Sequence, residues 1–95
     1  MVTHVVLLQP KPEVPGNEIT TALVHIQALQ DTIHGIVDVQ VGKNMSNYNQ
    51  GYTYGFVMKF VDAEHLKLYA LHPAHQIVSQ ELQRICQKII DFDIE

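Results

Sequence analysis

Apolar positions along this chain repeat with two different periods, and the switches between them mark out the elements. Val2 to Gln9 is rich in β-branched residues and too short for a helix, which predicts a first strand. Val5 and Leu7 line one of its faces; Val2, His4, Val6 and Leu8 line the other. Both faces are mostly apolar, so both sides of the sheet are expected to be covered. The proline-rich stretch from Pro10 to Gly16 predicts a loop. Ile19, Ala22, Leu23, Ile26, Leu29 and Ile33 then recur at three- and four-residue steps, which predicts an amphipathic helix over residues 18–32. Asn17 is its expected cap, and Glu18 suits its positive N-terminal end. His25 falls off the apolar stripe, toward water, and Gly35 supplies a positive φ beyond the helix end.

Ile36 to Lys43 predicts a second strand, with Val37, Val39 and Val41 on one face and Ile36, Asp38 and Gln40 on the other. A polar loop runs from Gly42 to Gly51. Tyr52 to Val61 predicts a third strand, and Tyr52, Tyr54, Phe56, Met58 and Phe60 share one of its faces. Such a wall is too apolar to leave in water. Asp62 is the expected cap of a helix over Ala63 to Leu71, and Pro73 interrupts it or starts a new one. A second helical run over residues 74–88 carries Val78, Leu82, Ile85 and Ile89, with Cys86 beside them. Ile90, Phe92 and Ile94 alternate with Asp91, Asp93 and Glu95 in a short last strand. The order β-α-β-β-α-β predicts the α+β, ferredoxin-like fold, with a four-stranded antiparallel sheet and helices on one face. The bare face predicts a homodimer whose two sheets pack together, burying the aromatic wall at a twofold interface.

Composition narrows the picture further. Ninety-five residues are enough for one domain over positions 1–95. A net charge of −4 with scattered Lys11, Lys43, Lys59, Lys67, Arg84 and Lys88 argues against nucleic acid and against a membrane surface. The single cysteine, Cys86, allows no intrachain disulfide and suggests a reducing compartment. No basic, apolar leader opens the sequence and no apolar run approaches the ~18 residues of a membrane span, so a cytoplasmic location is expected. The Gly42–Gly51 loop lacks the Walker lysine spacing, and no histidine is singled out as a haem ligand, so no cofactor is expected. His72 and His75 stand three apart, but Pro73 spoils a regular helix there and no Cys or carboxylate joins them at a matching spacing. Zinc needs three or four ligands, so no metal centre is expected.

The chemistry concentrates in Tyr69-Ala70-Leu71-His72-Pro73-Ala74-His75. Histidine titrates near neutral pH and can take up a proton and return it. If His75, His4 and Tyr69 face one apolar cavity, they can remove a carbon-bound proton and stabilise the enolate. The bland alternative is that His75 links the two helical runs and Tyr69 packs between them. Tyr54, Phe56 and Met58 are candidates both for a cavity wall and for core or interface. His72 is expected at the negative end of a helix. His25, His34 and His65 are expected in water, and Cys86 as a small buried hydrophobe.

The patterns Thr3-His4-Val5-Val6-Leu7, Gly42-Lys43-Asn44-Met45-Ser46, Gly51-Tyr52-Thr53-Tyr54-Gly55 and Tyr69-x-x-His72-Pro73-x-His75, with Asp91-Phe92-Asp93, resemble the stress-responsive α/β-barrel (Dabb) family over essentially the whole chain. The resemblance implies a dimeric α+β barrel with a pocket in each subunit, and stress-associated or polyketide-cyclase-like relatives. In cyclase-like members the positions matching His4, Tyr69 and His75 lie in the pocket, with His75 at the place of the general base. This chain departs from that pattern at Ile26, where a pocket tyrosine is found, and at Tyr54, where a histidine is found. The expected function is a homodimeric stress-associated or small-ligand-binding protein. The alternative is a cofactor-free enzyme using His75 as base on a small apolar carbonyl compound.

Overall fold

The computed structural model describes residues 1–95 and has seven elements: β1 (Val2–Pro10), α1 (Gly16–Thr32), β2 (Ile36–Lys43), β3 (Tyr54–Phe60), α2 (Ala63–Leu71), α3 (Pro73–Ile85) and β4 (Cys86–Ile94). The strands form one antiparallel sheet in the order β2-β3-β1-β4. This is the ferredoxin-like arrangement, with its second helical segment split in two. The split occurs at Pro73, which has no N–H to donate and takes the first position of α3. The His72 imidazole accepts a bond from Ala74 N–H at 3.0 Å, so it caps the start of α3. The expectation of an imidazole serving a negative helix end is therefore corrected: His72 also ends α2, but its side chain acts as an acceptor at a positive end.

Several boundaries move for local reasons. Helical geometry starts at Gly16, directly after an extended Pro15, so Asn17 lies inside the first turn and makes no side-chain cap. Asp62 does cap α2, accepting from His65 N–H at 2.9 Å. Gly35 has φ +96°, and a side chain there would run into the His65 ring. That ring is half-buried and 2.6 Å from Asp62, rather than free in water. His25 is exposed but reaches Glu81 at 2.9 Å, tying α1 to α3. The helical run expected to reach residue 88 stops at Ile85, because Cys86 to Ile94 pair with β1 instead. Ladder hydrogen bonds override the apolar spacing that would place Ile89 on the helix.

The core lies between sheet and helices. Leu8, Ile26, Met58, Phe60 and Ile85 are its largest fully buried side chains. Burying each contributes roughly 1.5–3 kcal/mol relative to exposure. The register puts Val2 opposite Phe60, His4 opposite Met58 and Val6 opposite Phe56. The aromatic wall of β3 therefore faces this chain's own helices, which corrects its expected place at a dimer interface. Alternation says which residues share a face, but not which face the helices cover. A bulge between Ile36 and Asp38 makes a second correction: Ile36 joins Val39 in the core, and Val37 is turned out. The uncovered face carries Val5, Leu7 and Val57, with Ile90, Phe92 and Ile94 on the edge strand.

Candidate functional site

Beneath α2 and α3, the helix-covered face does not close completely. A cavity of about 770 Å3 remains, reached by His4 and Phe56 from the sheet, by Tyr69 and His75 from the helices, and by Asp91 and Asp93 from β4. The pairing of β1 with β4 builds the sheet side. His4 stands opposite Asp93, and Val6 opposite Asp91. The two carboxylates thus stand on the His4 face, two residues apart on one strand.

His4 is buried, with 7% of its surface exposed, and is held within 2.5 Å of Asp93. A carboxylate accepts, so Nδ1–H is the donor, and Nε2 is the ring's remaining nitrogen. Phe56, Phe60 and Tyr69 surround the ring edge-on, with centroids 6.2, 6.3 and 5.9 Å away. Tyr69 is the one buried residue of α2, and its ring lies 4.3 Å from that of His75. His75 comes from the first turns of α3. Its Nδ1–H donates to the Ala70 carbonyl at 3.2 Å across the Pro73 break, which turns the imidazole back toward α2. The break that Pro73 imposes therefore brings Tyr69 and His75 together.

Burial holds the His75 ring below its ordinary pKa; the Ala70 carbonyl opposes that shift, and His4 and His72 add to it. A neutral His75 with Nδ1–H engaged keeps the lone pair of Nε2 available. Burial pushes the Tyr69 hydroxyl well above the usual phenol range, and the Asp91 carboxylate pushes it the same way. Tyr69 is therefore a neutral donor over the whole physiological range. Cys86 also reaches the cavity, where burial raises its thiol pKa, so it behaves as a small buried hydrophobe.

His4 Nε2, Tyr69 Oη and His75 Nε2 have no hydrogen-bond partner within the protein. Yet no polar side-chain atom of a buried or half-buried residue is sealed off unpartnered. Each of these three atoms therefore keeps some accessible surface, and all three belong to residues that line the cavity. Tyr69 makes the point most sharply, since only 3% of the residue is exposed.

The structure thus brings His4, Tyr69, His75 and Phe56 together. It does not bring Tyr54 or Met58 to the cavity. Met58 is fully buried between His4 and Val39 in the ladder, and Tyr54 lies further along the sheet, opposite Leu8 and Lys43. Asp91 and Asp93 are the site residues that sequence reasoning missed. Their signal was present: the alternation of the last strand puts both on one face. No three His, Cys, Asp or Glu side chains are grouped closely enough to hold a metal ion.

Fold and site define a ferredoxin-like α+β protein with a ring-lined cavity between its sheet and helices. The chain belongs to the family described as the Stress responsive A/B Barrel Domain, whose model matches residues 2–95. It is similar to an Arabidopsis thaliana protein of known crystal structure, with 28% identity over 100% of this chain and 94% of that one and a TM-score of 0.93. It is also similar to a dimeric ferredoxin-like protein of unknown function from Jannaschia sp. CCS1, with 29% identity, 99% and 97% coverage and a TM-score of 0.87. The hydroxynitrile lyase of Passiflora edulis shares the fold, with a TM-score of 0.90 over 98% of this chain and 90% of that one, at 16% identity. None of the curated proteins compared with the chain matches it. No helix is long and apolar enough to cross a membrane.

Proposed function

We propose that this chain, one domain over residues 1–95, is a homodimeric small-ligand-binding protein. The cavity of each copy takes a small, mostly apolar compound by its polar groups. The observation that carries this is that His4, Tyr69 and His75 line one cavity and each keeps an accessible ring atom without a partner in the protein. These atoms are accessible to water in the free protein, so a ligand that meets them exchanges a water bond for its own, a net of about 0.5–1.5 kcal/mol per bond. Membership of a family described as stress-responsive supports a stress-associated setting for this binding. The dimer rests on the uncovered apolar face and on the dimeric state of a similar protein. Two copies packing Val5, Leu7, Val57 and Phe92 against their counterparts remove that face from water.

One observation favours turnover as a second reading: His75 has a free Nε2 beside the Tyr69 hydroxyl. His75 Nε2 takes a proton from the carbon next to a bound carbonyl, Tyr69 O–H bonds to the oxygen that becomes the enolate, and His75 returns the proton. His4, held by Asp93, orients the substrate from the sheet side.

The test is NMR titration of the His4 and His75 ring protons with a panel of small aromatic and polyketide-like compounds. Binding is expected to move both rings, and His75→Ala is expected to weaken it by about tenfold, the equivalent of one good hydrogen bond. A panel that moves neither ring sinks the ligand-binding reading. Incorporation of solvent deuterium beside a bound carbonyl, lost in His75→Ala, separates turnover from binding alone.

A further inference from the structure

Two glycines stand opposite each other on the uncovered face of the sheet, and the chain by itself explains only one of them. A Cβ at Gly55 would come within 2.6 Å of the Val6 carbonyl oxygen, so no side chain fits there. At Gly42 a Cβ would meet nothing within 4 Å, and the residue has no positive φ. Glycine inside a strand weakens it, and its use is to let another chain or a ligand approach closely. We infer that Gly42 is kept bare for a second copy of this chain, whose Ile90 fills the groove beside the glycine pair. This rests on the reading of the protein as a homodimer and specifies how the two faces fit.

The strand register places groove and knob on one face. Gly42 pairs with Gly55, Gly55 with Leu7, and Leu7 with Ile90, so the four form a single row across the sheet. The row is bare backbone on β2 and β3 and bulky side chain on β1 and β4. A groove of about 320 Å3 lies over the bare half, bordered by Val5, Leu7, Gln40 and Val57. At the far end of the row, Ile90 keeps 46% of its surface exposed.

Two sheets packed face to face are related by a twofold axis lying between them. An axis along the strands reverses the strand order from one copy to the other. Because that order is β2-β3-β1-β4, it lays β2 over the partner's β4 and β3 over the partner's β1. Gly42 then faces the partner's Ile90, and Gly55 faces the partner's Leu7. An axis across the strands stacks each strand on its own counterpart, bare against bare and bulk against bulk. Strands of about eight residues, ~3.3 Å apart along the chain and ~4.8 Å apart across the sheet, give the four-stranded face roughly 500 Å2 per copy. Two such faces bury about 1,000 Å2, near the lower bound for a stable interface. A face this small has no area to lose to an unfilled groove, and the axis along the strands is the one that fills it.

The first experiment is an isotope-filtered NOESY on dimers mixed from 13C-labelled and unlabelled copies of the full chain. Contacts between the Ile90 δ-methyl and the Gly42 α protons are expected across the interface. Within one chain the two residues lie three strands apart, roughly 14 Å, too far to give that signal. An Ile90 that instead meets the partner's Ile90, or that meets nothing on the partner, overturns the inference. A size swap is the second measurement. Gly42→Val, a residue suited to strands, is expected to leave the far-UV circular dichroism unchanged and to weaken the dimer at least ~10-fold, read by analytical ultracentrifugation. Adding Ile90→Ala is expected to restore the affinity to within about threefold of the unaltered chain. A G42V dimer as tight as the unaltered one, or a double variant no tighter than G42V, overturns the inference while leaving the protein a dimer. If the unaltered chain sediments as a monomer, the homodimer reading falls with it.

Discussion

On the helix-covered face of the sheet, Leu8, Met58 and Phe60 have no accessible surface; on the other face, Ile90, Phe92 and Ile94 keep 46%, 48% and 55% of theirs. The two faces are built from the same classes of residue at the same alternation. They differ because both crossovers place their helices on one side. All the hydrogen-bonding rings of the site stand on the covered side, where the cover runs short over the edge strand and leaves the Asp93 side chain 47% exposed. The opposite side carries apolar groups along its central and edge strands and no such cluster. Hydrogen-bonding rings are thus gathered where burial is nearly complete but not closed, and the face with no helices keeps its apolar groups exposed.

The comparison can be broken most forcefully on the covered face. Phe60→Ala removes a fully buried ring that also touches Tyr69 at a centroid distance of 5.0 Å. It is expected to cost roughly 3–5 kcal/mol of stability, measured by urea denaturation. A loss below about 1 kcal/mol would mean that the covered face is loosely packed. On the uncovered face, Phe92→Asp is expected to leave the monomer folded, with unchanged far-UV circular dichroism, but to weaken the dimer by at least ~2 kcal/mol, as an interface anchor does. Light scattering that still reports a full dimer would move the interface elsewhere.

The smallest effect lies at the border of the cavity, on His75. Its folded pKa lies below its ordinary value. Between that lowered value and the unfolded value of about 6.5, the unfolded chain binds more protons than the folded one. The stability from keeping His75 neutral is therefore complete above about pH 6.5 and is lost as pH falls through the folded pKa. His75→Gln is expected to flatten the fall of stability on acidification, followed by thermal melts from neutral to mildly acid pH. An unchanged slope would show that water reaches the ring as freely in the folded state as in the unfolded one.

Much of the architecture was legible from periodicity and local chemistry. The element order, the Asp62 cap, the positive φ at Gly35 and the interruption at Pro73 each depend on near neighbours along the chain. The joining of His4, Tyr69 and His75 in one cavity came from a family resemblance rather than from spacing, since His4 is separated from the other two by more than sixty residues. The reach of the last strand was misjudged because Val78, Leu82, Ile85 and Ile89 keep a helical spacing that pairing with β1 overrules.

The sequence by itself determined which residues share a face in β1 and β3, because side-chain direction follows from backbone period where the strand is regular; in β2 the bulge overruled that period and put Ile36 with Val39. The sequence did not determine which face the helices would cover, because both faces of β1 and β3 are apolar enough to be buried. That choice is made by packing, and it turned the aromatic wall of β3 from an interface into a core. The pairing of His4 with Asp93, 89 residues away, and the arrival of Asp91 and Tyr69 at one cavity were likewise decided only in three dimensions. Register between the first and last strands is a property of the assembled sheet, and no local pattern encodes it.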